Sequence, residues 1–592
     1  MGGVGRGLHP IRFPHTLFIV APRRVAETFH NPALRRAYPF FSIAAVSHLQ
    51  KETSDAVLSM PKRDRSPARY ICPEMNLYQI TMNAHRDVDL KSIAWHAMGK
   101  YGFEARFPAS VIDEVNSIHA KTFSSSEKDV HDLHMLLWSS IDNYDSLDLD
   151  QLEYCERGTN GEIQVKIAIA DVDIYVPKES HTDQHAAHNG TSVYTGIETF
   201  PMLPTRLSHD ITSLVAGQER LAVVIEYVVL PDGDVRHGSL YRALVANKAK
   251  LIYEEVGDWL EGSRAIPPSV EQVPGLKEQV LLQNEASQRL KKFRVDQGAL
   301  VLNTVEAQTI VEGDAVRDLV VQIQNLARSV IEEFMVAANQ TMVDYLGKAG
   351  IPMIQRVVRV PKNWDGIVMT AALYHETLPE KPDAKALSLF LARQKDRDPE
   401  RFPDLSLTIV KLLGPGEYMA LEPGKPPYGH FALAISDYTH ATAPNRRYVD
   451  VINQRLVKSV FDRKKSPYTL QELVDLSAWL TDREKAGKKV KRFMRKAAAA
   501  VLLQDRIGQT FDAIVTGALP KGTYLRLFAP PAEGRIVRGE RGLVVGQKIR
   551  VRLLKTDPYN GFIDFECTDR EKFGAGQNFH SWSNSPKKSW RR

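Results

Sequence analysis

The stretch Ile141-Asp142-Asn143-Tyr144-Asp145-Ser146-Leu147-Asp148-Leu149-Asp150-Gln151 sets four aspartates within nine residues, directly after an apolar run. Carboxylates this close repel one another unless a cation sits among them. Oxygen donors of this hardness favour magnesium, manganese or calcium over zinc. The spacing argues against a calcium loop of the helix-loop-helix type, because Tyr144 stands at its third position and Leu147, not Gly, at its sixth. A solvated acidic loop is the plain alternative. Against it, Leu147 and Leu149 separate the acids, so Asp148 and Asp150 share a face if the segment is extended. Together with Asp142 they are the ingredients of a two-metal phosphodiester site.

Met135–Ile141 reads as a strand, and Ile163–Ala170 alternates apolar and polar residues at period two. Leu221–Leu230 is a further β-rich run, closed by the turn Pro231-Asp232-Gly233-Asp234. Upstream, the spacing predicts helices over Asp89–Gly102 and from Ala109 onward, hence a small helical or winged-helix N-terminal module at 76–130. Downstream, Leu326, Val330, Phe334, Ala338, Met342 and Leu346 recur every four residues, and Gly347, Gly350 and Pro352 end that helix. Residues 450–505 read mostly as helix. Short strands at Phe511–Val515, Thr523–Phe528, Lys548–Leu554 and Gly561–Phe565 predict a small antiparallel barrel of OB size over 506–570. The fold class is therefore α+β, with a large central domain at 131–505. Residues 1–75 read as an extension and linker, and the basic tail 571–592 as disordered.

Composition narrows the classes. The 592 residues are 43% apolar and 25% charged, which excludes fibrous and wholly disordered chains. Lys and Arg exceed Asp and Glu by six, so a polyanion-binding surface must come from local clustering. The run Lys485–Lys496 is such a cluster: strongly basic, without an acid, and placed between the central domain and the barrel. It is either a solvated helix face or a track for a nucleic-acid backbone, and its position favours the track. Cys72, Cys155 and Cys567 lie too far apart in sequence to suggest a disulfide framework or a zinc site. No apolar run is long enough to cross a bilayer, so no membrane partner is expected. The first fifty residues hold six Arg, no Lys and the single acid Glu27. The expectation is a cytoplasmic protein, or a mitochondrial or plastid one if that stretch is a transit peptide.

The acidic segment resembles the aspartate motif of the RNB catalytic domain, found in the ribonuclease II and ribonuclease R family. Four further stretches are similar to that family and occur in the same order. They are Ala168–Asp171; Thr191–Tyr194 with Pro201–Pro204 and Leu207-Ser208; Glu332–Asn339; and His430–Ala432 with Tyr438–Tyr448. The resemblance spans about residues 130–500 and implies an RNB domain followed by an RNA-binding OB barrel. It also implies a magnesium-dependent exoribonuclease, with manganese as a substitute. Such an enzyme works 3′→5′ on single-stranded RNA and releases nucleoside 5′-monophosphates, with no stable protein partner.

Carried over residue by residue, Asp142, Asp148 and Asp150 match three metal-binding aspartates of the family. Gln151 stands where the fourth is usual. Arg446 matches the arginine that supports the scissile phosphate, as a planar guanidinium can by gripping two phosphate oxygens. Asp150, Asp148 and Arg446 are thus the implied catalytic groups. Tyr194 matches an aromatic near the terminal nucleotide and Tyr253 one that stacks a base further upstream, with Arg447 and Asn339 as further substrate contacts. On a helical wheel Glu332, Arg328 and Asn339 share one polar side and Glu333 the opposite flank; one of the two glutamates is expected at the terminal ribose. Because Gln151 is neutral, the rival reading is a catalytically impaired RNA-binding protein on the same fold. A second rival is a metal-binding regulator whose basic helix contacts DNA.

Overall fold

Strands form where β-branched residues alternate, and here they assemble one mixed sheet around the acidic loop. The computed structural model describes residues 88–119, 129–304, 307–312, 315–519 and 521–570. The expected extension 1–75 with Cys72, and the basic tail 571–592, lie outside the described residues. The sheet comprises β1 (Val130–Asp132), β2 (Ser139–Asp142), β3 (Gln151–Arg157), β4 (Ile163–Ala170), β5 (Glu219–Val229), β6 (Val235–Ala246) and β7 (Ala249–Ile252). Their order is β1-β6-β5-β4-β3-β2-β7, antiparallel inside and parallel at both outer pairs. The expected strand at Met135–Ile141 is shorter than its sequence suggests. Met135 is 76% exposed, and Trp138 folds into the core with its indole N–H donated to Leu133 O at 2.9 Å, so pairing begins only at Ser139.

The parallel pairing of β2 with β7 sets Asp142 opposite Ile252, so the acidic loop and Tyr253 leave the sheet at one end. The helices that frame the site and its supports are α1 (Leu90–Lys100), α2 (Ala109–Ser117), α3 (Leu276–Asp296), α4 (Leu326–Lys348), α5 (Trp364–Leu373), α6 (Ala384–Arg397), α7 (Phe402–Leu413), α8 (Tyr448–Phe461) and α9 (Leu470–Leu502). Helix α4 starts where Asn325 accepts from Arg328 N at 2.9 Å, a side-chain cap for an otherwise orphaned donor. The same Asn325 donates to Tyr253 O at 2.9 Å and so ties the start of α4 to the end of β7. Gly257 permits this closeness, since a Cβ there would lie 2.2 Å from the Asn325 amide nitrogen. Of the apolar stripe read from sequence, Val330, Phe334, Ala338, Met342 and Leu346 are buried in the core shared by the sheet, α4 and α8, while Leu326 in the first turn is half-buried.

Two expectations change. The helices α1 and α2 exist, but no strand accompanies them within 88–119, so the winged-helix alternative finds no support among the described residues. Nor does α1 stand apart: Leu90, Ile93, Ala94, Ala97 and Met98 share one apolar cluster with Val490, Met494 and Ala497 of α9. The barrel, in turn, is closed by β8 (Thr510–Leu519), β9 (Gly522–Leu527), β10 (Glu533–Arg538), β11 (Lys548–Asp557) and β12 (Phe562–Arg570), in the order β8-β9-β10-β12-β11. The strand β10 escaped the sequence reading because Glu533–Arg538 carries only Ile536 and Val537 as β-formers. Its pairing with β12 is parallel, so the barrel is not antiparallel throughout.

Ala499, Ala500 and Leu503 enter the apolar core of the barrel, which therefore grows directly on the end of α9. It also meets α7 through polar contacts, with Arg526 donating to Asp404 at 2.9 Å and Lys411 to Thr516 O at 3.3 Å. No helix among the described residues is long and apolar enough to cross a membrane. Truncating the wholly buried Phe334 to Ala should cost about 3–5 kcal/mol, read as a lower denaturant midpoint. A shift under about 1 kcal/mol would mean that α4 does not carry the central core.

Candidate active site

The acidic loop is held at several points. Leu149 is buried while Leu147 is 57% exposed, so the loop is pinned by one leucine rather than two. Ser213 clamps both sides of Asp148, accepting from Leu149 N at 3.0 Å and donating to Leu147 O at 2.7 Å. Lys250 donates to Tyr144 O and Ser146 O at 2.8 and 2.7 Å. The outcome is that Asp142, Asp145, Asp148, Asp150 and Gln151 all line one cavity of about 2840 Å³.

Asp150 is 2% exposed and carries the densest set of contacts. Asn445 N–H donates to its Oδ1 at 2.8 Å, and Arg446 Nε to its Oδ2 at 3.2 Å. Burial, with Asp148 nearby, still pushes its carboxyl up to about 8 despite Arg446. Burial likewise raises Asp142 to about 6, against the pull of Arg446. Asp142 Oδ2 is buried and has no hydrogen-bond partner. Asp148 accepts from the Tyr194 hydroxyl. Among the described residues, no three His, Cys, Asp or Glu side chains are gathered closely enough to hold an ion as they stand. The donor chemistry nevertheless fits a hard divalent cation: buried carboxylates that repel each other, one with an orphaned oxygen.

The remaining expected residues divide. Arg446, 44% exposed, faces the same cavity as the acids. Arg447 also lines it but is paired with the buried Asp450 at 2.7 Å. Tyr194 and Tyr253 both line it, and the Arg328 guanidinium lies 4.3 Å from the Tyr253 ring centroid. Asn339 reaches the cavity as a buried brace, accepting from Ala441 N at 2.7 Å. Neither glutamate, one of which is expected at the terminal ribose, lines the cavity. Glu333 is buried and gripped by Arg294 of α3 through two hydrogen bonds of 2.6 Å. Glu332 is 52% exposed and turned toward Arg294 and Gln324. The face of α4 that meets the cavity is Arg328, Ile331, Met335 and Asn339, one step around the wheel from Glu332.

Residues not singled out from sequence complete the site. Asn445, wholly buried, is fixed by the Thr212 hydroxyl at 2.6 Å, and Asp450 holds Ala443 N at 2.7 Å. From α8, Gln454 donates to Ala170 O at 2.6 Å, while Ala170 N bonds Asp150 O at 2.9 Å. Their only sequence signal was position within or just after the Tyr438–Tyr448 stretch. Along α9, Lys488, Lys491, Arg492, Arg495 and Lys496 line the cavity at helical spacing, so the basic run presents a face to it. Barrel residues Thr516, Tyr524 and Glu533 close the same cavity farther along.

With this geometry in hand, comparison with known proteins is specific. The family model for the RNB domain matches residues 130–463, and that for the RNase II-type exonuclease C-terminal S1 domain matches 509–568. Ribonuclease R 1 of Lactococcus lactis is 27% identical over 498 residues, covering 79% of this chain and 60% of that protein. Ribonuclease R of Thermotoga maritima is 28% identical over 524 residues, covering 82% and 71%. The chain thus spans about three fifths of the first relative. Mycoplasma genitalium RNase R, solved with ribose methylated single-stranded RNA, superimposes with a TM-score of 0.73 at 22% identity, covering 81% of this chain and 78% of that one. Because Glu333 is buried against Arg294, Glu333→Gln should destabilise the protein by about 3 kcal/mol or more. Denaturant unfolding measures this, and RNA affinity of the folded variant should not change. Lost affinity at normal stability would restore Glu333 to the substrate site.

Proposed function

This chain is a member of the RNB-domain family, and from that membership we propose that it is a divalent-metal-dependent exoribonuclease. It hydrolyses single-stranded RNA from the 3′ end and releases nucleoside 5′-monophosphates. The observation that carries the reading is the convergence of Asp142, Asp148, Asp150 and Arg446 on one cavity whose long wall is the basic face of α9. Asp142, Asp148 and Asp150 would hold magnesium, or manganese in its place, with the Gln151 amide oxygen as a neutral fourth donor. The cation would neutralise charge at the scissile phosphate.

The chain's own groups do the rest. The Arg446 guanidinium, free on the side turned from Asp150, stabilises negative charge developing on the phosphate. Asn445 and Asp450 fix the loop that aims it. Tyr194 meets the terminal nucleotide and Tyr253 stacks a base further upstream, contacts that accept any sequence. Lys488, Lys491, Arg492, Arg495 and Lys496 neutralise the backbone upstream, so affinity should fall as salt rises. The cavity that holds the acids is lined by barrel residues as well, which suits a strand bound along its length; the 3′→5′ polarity follows from the family resemblance alone.

Asp150→Asn should lower the rate of mononucleotide release by about a hundredfold or more, with RNA binding retained. A ladder gel with labelled RNA and a filter-binding titration measure the two; turnover near the wild-type rate would remove the assignment. Gln151→Asp should lower the metal concentration needed for half-maximal rate, because a formal charge replaces a dipole. A wild type inert at millimolar manganese, yet active as Gln151→Asp, would establish instead the catalytically impaired RNA-binding protein.

A further inference from the structure

Two of the three acids assigned to the metal are already engaged by side chains from elsewhere in the chain. Arg446 Nε donates to Asp150, and the Tyr194 hydroxyl donates to Asp148 Oδ2. Only Asp142 keeps a buried oxygen without a partner. The two engaging residues are themselves joined. Ser192 N donates to Arg446 O at 3.0 Å, the Thr191 hydroxyl donates to the same carbonyl at 3.1 Å, and Thr191 bridges Arg447 in antiparallel register. A short strand, Val193–Tyr194, paired with Thr199–Phe200, then carries the tyrosine to the acids. Its ring lines the cavity, with the Lys491 ammonium 5.3 Å from the centroid.

We propose that Tyr194 is a positioning residue that withholds Asp148 from the divalent cation until the 3′ end of an RNA strand displaces its ring. This deepens the metal-site reading above and rests on it. The physical case is competition. The carboxylate oxygen that accepts the hydroxyl has one fewer lone-pair direction for a cation, so a cation seated on that oxygen competes with the hydrogen bond. A base stacking on the ring must compete with Lys491 and shift the ring along the cavity, and a small shift is enough to free the oxygen. The binding of metal and of RNA is then linked, and each must tighten the other by the same factor. The device keeps the hydrolytic centre incomplete until substrate arrives.

The test is calorimetric titration of manganese into the full-length protein without RNA. Removing a hydrogen bond to a charged group should let Tyr194→Phe bind manganese about tenfold tighter or more than the wild type. Adding a 2′-O-methylated, uncleaved oligonucleotide should tighten wild-type binding by a similar factor and leave the Phe variant almost unchanged. Equal affinity in wild type and Tyr194→Phe, with binding lost in Asp150→Asn, overturns the withholding role and leaves the metal site standing. Absence of binding in both wild type and Tyr194→Phe overturns the metal reading, and this proposal with it. If the Phe variant melts early, 3-fluorotyrosine at position 194 decides in an otherwise wild-type chain. Its fluorine resonance should move when magnesium and the oligonucleotide are added together; an unmoved resonance overturns the proposal.

Discussion

A buried carboxylate must find donors, and Asp150 finds them some 295 residues away in sequence, on Asn445 and Arg446. Desolvation of that one group forces the loop after Thr439 to close on the end of the sheet. Once closed, the loop sets the direction of the arginine, the start of α8 and the bridge to Thr191. The helix α8 then returns the constraint, since Gln454 holds the carbonyl of Ala170 and Lys458 is paired with Asp171. The acid-bearing end of the molecule is therefore a ring of mutually dependent segments rather than a set of independent loops.

The acids were legible because their signal is local. Four carboxylates in nine residues have few structural uses, and the leucine between Asp148 and Asp150 anchors the loop as alternation suggested. The basic run was legible for the same reason: its charges recur at helical spacing, and one face of α9 had to present them somewhere. The apolar stripe of α4 needed only its own period. Each of these readings uses information carried within a dozen or so residues.

What could not be read depends on partners in other elements. A helical wheel ranks the faces of α4 but cannot know that Arg294 on α3 claims Glu333, so that buried ion pair was not legible in the sequence. Asn445 and Asp450 looked like ordinary residues of a turn and a helix start, because their value lies in a main-chain donor and a carboxylate aimed across the fold. The strand Glu533–Arg538 was invisible because its neighbours in the barrel, not its own residues, make it a strand.

The helix α9 has 33 residues and runs without a break from the central domain into the barrel. At 1.5 Å per residue it is a rod of about 50 Å. Its first turn is locked by the reciprocal hydrogen bonds of Thr469 and Glu472, and its last turns are sunk in the barrel core. A rod fixed at both ends behaves as a ruler: the barrel cannot approach the acids or recede from them without bending or breaking a helix. The spacing between the two ends of the cavity is thus a constant of the covalent chain, set by a residue count rather than by the ion pair that joins Arg526 to Asp404.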